Sequence, residues 1–271
     1  MLIDSHQHFW RIGEEECTWP GPDLQSIYRD YLPRHLQPSL EQCGVGGTVL
    51  VQSQPSSKDT AWLLDLAEQT TFVLGVVGWV DIGQLDAPLR IERLASHTKL
   101  RGLRPMLQNL SDDEWILSDD VAPALDAMIA LDLRFDALIY SRHLPVIHEL
   151  ACRYPRLQIV VDHAAKPNIA SGSFEPWASH LTALAERPNV YCKLSGLPTE
   201  AGEHWNVEQL RPYVDHVRSA FGAERIMWGS DWPVLNLAGN YRQWWEITHD
   251  LLPASELDAV LSKTARHFYK I

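Results

Sequence analysis

The sequence predicts an α/β fold, a single-domain (β/α)8 (TIM) barrel that takes in residues 1–271. Eight short apolar runs alternate with amphipathic stretches from one end to the other. The runs show little polar alternation, as strands covered on both faces should. The length of 271 residues lies close to the ~250 typical of one such barrel. No G-x-G-x-x-G follows an early strand, which counts against the alternative of an open, doubly wound sheet.

Met1–Asp4 reads as the first strand. Arg11–Pro33 follows as an irregular segment with Pro20, Pro22 and Trp19 inside it and Trp10 just ahead. It reads as a long loop of the kind that covers a barrel mouth, although a plain surface excursion fits nearly as well. Gly47–Gln52 is the second strand, and Lys58–Thr70 the helix after it, with Trp62, Leu63, Leu66 and Ala67 on one face. The third to seventh strands are Phe72–Val80, Leu100–Leu107, Leu133–Ile139, Gln158–Val161 and Val190–Leu194. A helix over Val207–Phe221 presents Leu210, Tyr213, Val214, Val217 and Phe221 at a 3.6-residue period. Arg225–Trp228 is the eighth strand. Ser255–Tyr269 is a closing helix, capped by Ser255, with Leu257, Val260, Leu261 and Ala265 as its apolar stripe.

The formal charge of −12 argues against nucleic acid and anionic membranes as partners, since both demand clustered Lys and Arg. Cys17, Cys43, Cys152 and Cys192 are widely spaced and form no C-x-x-C pair. They read as reduced thiols of a cytoplasmic protein, not as a disulfide framework or a structural zinc site. The start, M-L-I-D-S-H, lacks the basic and apolar regions of a signal peptide, and no run has the ~18 apolar residues of a membrane span. Tryptophan is abundant and suits either a ring-binding pocket or ordinary core packing.

Polar residues recur where the predicted strands stop. The first strand ends in D-S-H-Q-H. Residues two apart in a strand point to the same side, so His6 and His8 face the barrel interior together and can hold a divalent cation or bind an anion. An H-x-H also arises by chance in polar loops. Asp162-His163-Ala164-Ala165-Lys166-Pro167 ends the sixth run, Lys193-Leu194-Ser195-Gly196 the seventh, and Trp228-Gly229-Ser230-Asp231-Trp232-Pro233 the eighth. Arg101-Gly102-Leu103-Arg104 lies within the fourth. Each Lys or Arg alone is as easily a solvated residue. Barrel enzymes draw catalytic groups from the ends of several strands, so the recurrence carries more than any single motif.

His6-x-His8, His163 after strand six and Asp231 after strand eight resemble the amidohydrolase superfamily. The fuller pattern D-H-x-x-K-P, K-L-S-G-L and G-S-D-W-P is similar to its sugar-lactone branch (amidohydrolase 2), that of L-fuconolactonase- and L-rhamnonolactonase-like enzymes. The resemblance runs from Asp4 to Tyr269. It implies one divalent ion, zinc or manganese, or none, held by His6, His8 and Asp231. The region of strand four reads R-G-L-R-P-M-L-Q, without the lysine of binuclear relatives. Strand five ends in Ile139-Tyr140-Ser141, with His143 beyond it, where many relatives place a ligand histidine.

Lactone hydrolysis needs a water, a base and charge stabilisation at the carbonyl oxygen. Asp231 is the candidate base, with His163, Arg104 and Lys166 as further catalytic groups. Gln52, Trp79, Tyr140, Lys193 and Trp232 are the candidate substrate contacts. Ser195 lacks a G-x-S-x-G setting and reads as a structural hydroxyl. The expected function is opening of a small lactone, a sugar aldonolactone, with a small molecule as the partner. Another metal-dependent hydrolase or a decarboxylase of the superfamily is the alternative, and a binding barrel without catalysis a third reading. Nothing in the sequence sets the oligomeric state.

Overall fold

The computed structural model describes residues 1–202 and 204–271. Its strands are β1 (Leu2–Gln7), β2 (Val45–Val51), β3 (Val73–Gly78), β4 (Leu100–Leu103), β5 (Arg134–Ala137), β6 (Ile159–Val161), β7 (Val190–Leu194) and β8 (Ile226–Trp228). They form one eight-stranded parallel sheet in sequence order. The ends of the sheet meet where Asp231 N donates to His6 O (2.8 Å) and His8 N to Trp232 O (2.8 Å), bringing β1 beside the turn after β8. The architecture is therefore the (β/α)8 barrel read from the run pattern. The strands are almost wholly buried because side chains fill the lumen and helices cover the outside.

The covering helices are α1 (Pro33–Cys43), α2 (Ser57–Gln69), α3 (Ala87–Leu94), α4 (Ala122–Ala130), α5 (Leu144–Arg153), α6 (Trp177–Ala185), α7 (Leu197–Ala201), α8 (Val207–Phe221), α9 (Tyr241–Leu251), α10 (Ala254–Asp258) and α11 (Thr264–Tyr269). The longer helices bury the apolar stripe that their sequence spacing offers; α8 buries the five residues named from its period. Ser56 caps α2 by accepting from Lys58 N and Asp59 N. Among the described residues, no helix is long and apolar enough to cross a membrane.

Two local expectations are corrected. The first strand does not stop at Asp4 but runs on through Ser5, His6 and Gln7. Polar side chains are tolerated there because a barrel strand's upper end faces the mouth. The closing segment starts at Ala254 with Pro253 as its N-cap, so Ser255 sits within the helix. A π-turn over Ala259–Lys263 then separates α10 from α11.

Candidate active site

The carboxyl ends of β1, β6 and β8 converge on four side chains. His6 Nε2 lies 3.1 Å from His8 Nε2. Asp231 Oδ1 lies 3.6 Å from His6 Nε2, 3.3 Å from His8 Nε2 and 3.9 Å from His163 Nε2. Burial lowers the proton affinity of all three imidazoles, His163 to a pKa of about 4. Burial also raises the Asp231 carboxyl, but His163, the hydrogen bond from His8, and His6 outweigh it and hold the group well below the usual carboxylate range. Neutral imidazoles around an ionised carboxylate are the protonation states that a cation site requires.

Beneath this cluster lies a buried charge network that sequence reading missed. Lys193 Nζ, wholly buried, contacts Asp136 Oδ2 (2.5 Å), Asp162 Oδ1 (3.0 Å) and His6 Nδ1 (3.1 Å). Tyr269 OH donates to the same Asp136 oxygen (2.6 Å). Arg104 Nη1 donates to Asp162 Oδ2 (3.2 Å) and Arg104 Nη2 to Gln52 O, while Gln52 Nε2 donates to Arg104 O (2.9 Å). Burial raises the Asp162 carboxyl, yet Lys193, His6 and Arg104 together depress it strongly. At Asp136 burial prevails over Lys193, and the carboxyl is raised. Both aspartates left a trace in the sequence: Asp136 interrupts an apolar run, and Asp162 precedes His163 in the D-H-A-A-K-P motif.

Above the cluster opens a cavity of about 440 Å³. His8, Arg104, Tyr140, His163, Lys166 and Asp231 all line it, as the sequence leads one to expect. Thr18 and Trp19 of the long leading loop and Gln54 after β2 also line it, and none of these was singled out as a site residue. Gln54 ties the loop down: its Nε2 donates to Trp19 O (2.6 Å), and its Oε1 accepts from Thr18 N (3.0 Å) and Trp19 N (3.3 Å). The loop is closed at its base by the Trp10–Tyr31 backbone pair. It therefore walls the mouth and is no free excursion.

Four expected substrate contacts do not reach this cavity. Lys193 and Gln52 are fully buried in the network below it. Trp232 is buried against Phe9 and Tyr31, with ring centroids 6.0 and 5.0 Å away. Trp79 faces a neighbouring apolar groove with Ile82, Leu110 and Trp115. Their strand-end positions are right, but their depth along the barrel axis, or the side they face, is not. His143 points to Asp113 Oδ1 (2.9 Å) and does not line the cavity.

Backbone geometry aims the donors. His163, Ala164, Ala165 and Lys166 all have positive φ, from 49° to 60°, a short left-handed turn. Such residues cost roughly 1–2 kcal/mol each. The turn is held by Trp177 Nε1 donating to Ala164 O (2.7 Å) and Ser141 Oγ donating to Ala165 O (3.1 Å) and Lys166 O (3.2 Å). It brings both His163 and Lys166 to the mouth. Gly196, at φ 66°, leaves room for the His163 ring, since a Cβ there would stand 2.6 Å from Nδ1. Ser195 Oγ, 2.8 Å from that Nδ1, fixes the ring and fits the structural role read for it.

The residues fit a divalent ion. His8 Nδ1 faces Val51 O at 2.8 Å and carries its proton there, leaving the Nε2 lone pair directed at the cluster. The donor atoms of His6, His163 and Asp231 all lie within 4.8 Å of one another, and among the described residues they are the group of three or more such side chains that meets this spacing. Asp231 Oδ1 lies 3.3–3.9 Å from the three imidazole nitrogens and His6 Nε2 3.1 Å from His8 Nε2, near the ~3.3 Å spacing of two ligands with ~2.0–2.1 Å bonds to one tetrahedral ion. Imidazole with carboxylate suits zinc or manganese. His163 joins the expected set of His6, His8 and Asp231.

A (β/α)8 barrel with an imidazole–carboxylate cluster for one divalent ion at its carboxyl mouth defines a metal-assisted barrel hydrolase. The chain belongs to the amidohydrolase family, whose profile matches residues 3–271. It is 51% identical to an L-fucono-1,5-lactonase of Burkholderia ambifaria, over 99% of this chain and 95% of the relative. It is 36% identical to an L-fucono-1,5-lactonase of Burkholderia multivorans, over 100% and 96% respectively. A crystal structure of a Burkholderia multivorans amidohydrolase with bound zinc superposes with a TM-score of 0.93 at 35% identity, over 100% of this chain and 99% of that one.

Proposed function

We propose that this enzyme opens a sugar 1,5-lactone, an aldonolactone, to its open-chain acid by attack of water at the barrel mouth. The observation that carries the reading is Asp231, ionised among three neutral histidines at the floor of a cavity whose size suits a six-membered sugar lactone. The likeness to two L-fucono-1,5-lactonases points to the same substrate class.

His6, His8, His163 and Asp231 would hold zinc or manganese, which when bound lowers the proton affinity of a water and polarises a carbonyl. Asp231 accepts the proton of the attacking water, and its hydrogen-bonded imidazoles keep it aimed and ionised. Arg104, anchored by Asp162 and Gln52, presents fixed positive charge to the developing oxyanion. Lys166 lines the cavity, and among the described residues its ammonium makes no hydrogen bond within the chain, so it is available to the ring oxygen as it leaves. Burial lowers that ammonium's proton affinity, Glu200 opposing, which eases proton transfer. Trp19 and Tyr140 offer ring faces and Gln54 its amide to the sugar. An ester leaves as an alkoxide more readily than an amide, so a single ion suffices. The free cysteines suit action in the reducing cytoplasm.

The decarboxylase alternative is not favoured. A 5-carboxyvanillate decarboxylase shares the fold at 14% identity and a TM-score of 0.73, and no histidine from the end of β5 lines this cavity. The test is acid release from a panel of sugar lactones, with and without chelator. Turnover of 1,5-aldonolactones, reduced by chelation and restored by zinc or manganese, is the expected result. No turnover of any aldonolactone by the metal-loaded chain would overturn the reading.

A further inference from the structure

At the opposite, amino-terminal end of the barrel is a second cavity of about 220 Å³. Arg134 at the start of β5, Arg156 and Gln158 ahead of β6, Tyr191 in β7, and His267 and Lys270 of the closing segment surround it, with Asp132 at its edge. Three full cations thus share one carboxylate, in a chain whose formal charge is −12.

That carboxylate is already used. Arg134 Nη1 donates to Asp132 O (2.6 Å) and Oδ1 (2.8 Å), and Lys270 Nζ pairs with Asp132 Oδ2. Arg134 Nε donates to Phe268 O. Among the described residues, Arg156, Gln158, Tyr191 and His267 have no hydrogen-bond partner from their side chains. Arg156 and His267 are exposed and meet water. Tyr191 is only 8% exposed, and its hydroxyl, which makes no hydrogen bond within the chain among the described residues, borders the cavity. Excess positive charge and unpaired donors around one concavity are the complement of a compact oxyanion.

We infer that this cavity is a binding site for a small oxyanion of about two charges, inorganic phosphate in its simplest form, separate from the catalytic mouth. A bound anion would bridge β5–β7 to α11 and hold the closing helix in place. The amino-terminal face of such barrels ordinarily serves stability, and an anion tie is one way to supply it.

The test is calorimetric titration of the full chain with phosphate at constant ionic strength, with malonate as a parallel titrant and the melting temperature as a second readout. Expected is saturable phosphate binding with Kd below ~10 mM and a melting temperature that rises with phosphate. Arg156→Glu weakens binding at least about tenfold and Tyr191→Phe severalfold, because each removes a donor. Neither side chain has a hydrogen-bond partner among the described residues, and phenylalanine keeps the Tyr191 ring against Phe268, so these variants should fold. Lys166→Ala, at the mouth, leaves phosphate binding unchanged. Malonate binding as well would mark a general oxyanion site, and its failure a phosphate-selective one; either supports the inference. No saturation to ~10 mM, unchanged binding by Arg156→Glu, or loss of binding in Lys166→Ala would overturn it.

Discussion

Replacing Lys193 by methionine separates a structural cation from a substrate contact. Methionine keeps the length and apolar stem of the side chain and removes only the ammonium. That ammonium sits between Asp136 and Asp162 and touches His6, all buried. Its loss strands carboxylates whose burial was compensated by a charge. Breaking a buried pair in this way costs about 3–5 kcal/mol. At ~2.1 cal/mol/K per residue, 271 residues give an unfolding entropy of about 0.57 kcal/mol/K. Lys193→Met should therefore lower the melting temperature by about 5–9 °C. Adding Asp136→Asn should recover part of the loss, because the stranded charge is gone while Tyr269 keeps a hydrogen-bond partner. Metal affinity should fall about 10–100-fold, since His6 loses its orienting neighbour. Scanning calorimetry of parent, single and double variants, with metal content by elemental analysis, measures each effect. If Lys193 instead touched substrate, the variant would melt within ~2 °C of the parent and show a raised KM. That outcome would refute the buried-network account.

Three further predictions follow from the mouth and its supports. Asp231→Asn should lower turnover by at least ~10²-fold while the protein stays folded; unchanged metal content would assign the base role, and its loss a ligand role. A rate within about threefold of the parent, under ~1 kcal/mol of barrier, would contradict both. Trp19→Ala should raise KM with little change in kcat, and Gln54→Ala should do the same by releasing Thr18 and Trp19; wild-type KM in both would show that the loop does not contact substrate. Asp59, buried against the Ser53–Gln54 turn with Oδ2 unpartnered, has its pKa raised to about 7, chiefly by burial. The fold thus holds a proton that the unfolded chain releases near pH ~3.9. Stability from this group is full below that pH and is lost as pH rises through about 7. Asp59→Asn should flatten the fall in melting temperature between pH 5 and 8; an equally steep fall in the variant would exclude this group as its source.

The order of strands and helices was legible because strands covered on both faces read as apolar runs, and helices around a barrel bury a stripe at a 3.6-residue period. The reactive cluster was legible for a related reason. His6 and His8 stand two apart in a parallel strand, and Asp231 and His163 follow other strands directly, so barrel closure alone brings them within a few ångströms. What periodicity does not encode is depth. Lys193 and Gln52 end strands as Arg104 does, yet strand stagger sets them a layer below the mouth, where Lys193 contacts His6 and Gln52 holds Arg104. Nor does it encode the side to which a residue past the strand turns, which sends Trp79 into a separate groove and Trp232 into the core. Trp19 and Gln54 meet across 35 residues of sequence through a loop without a repeating pattern. Only the packed chain brings them together, because a loop's path depends on hydrogen bonds to residues that sequence neighbours do not specify.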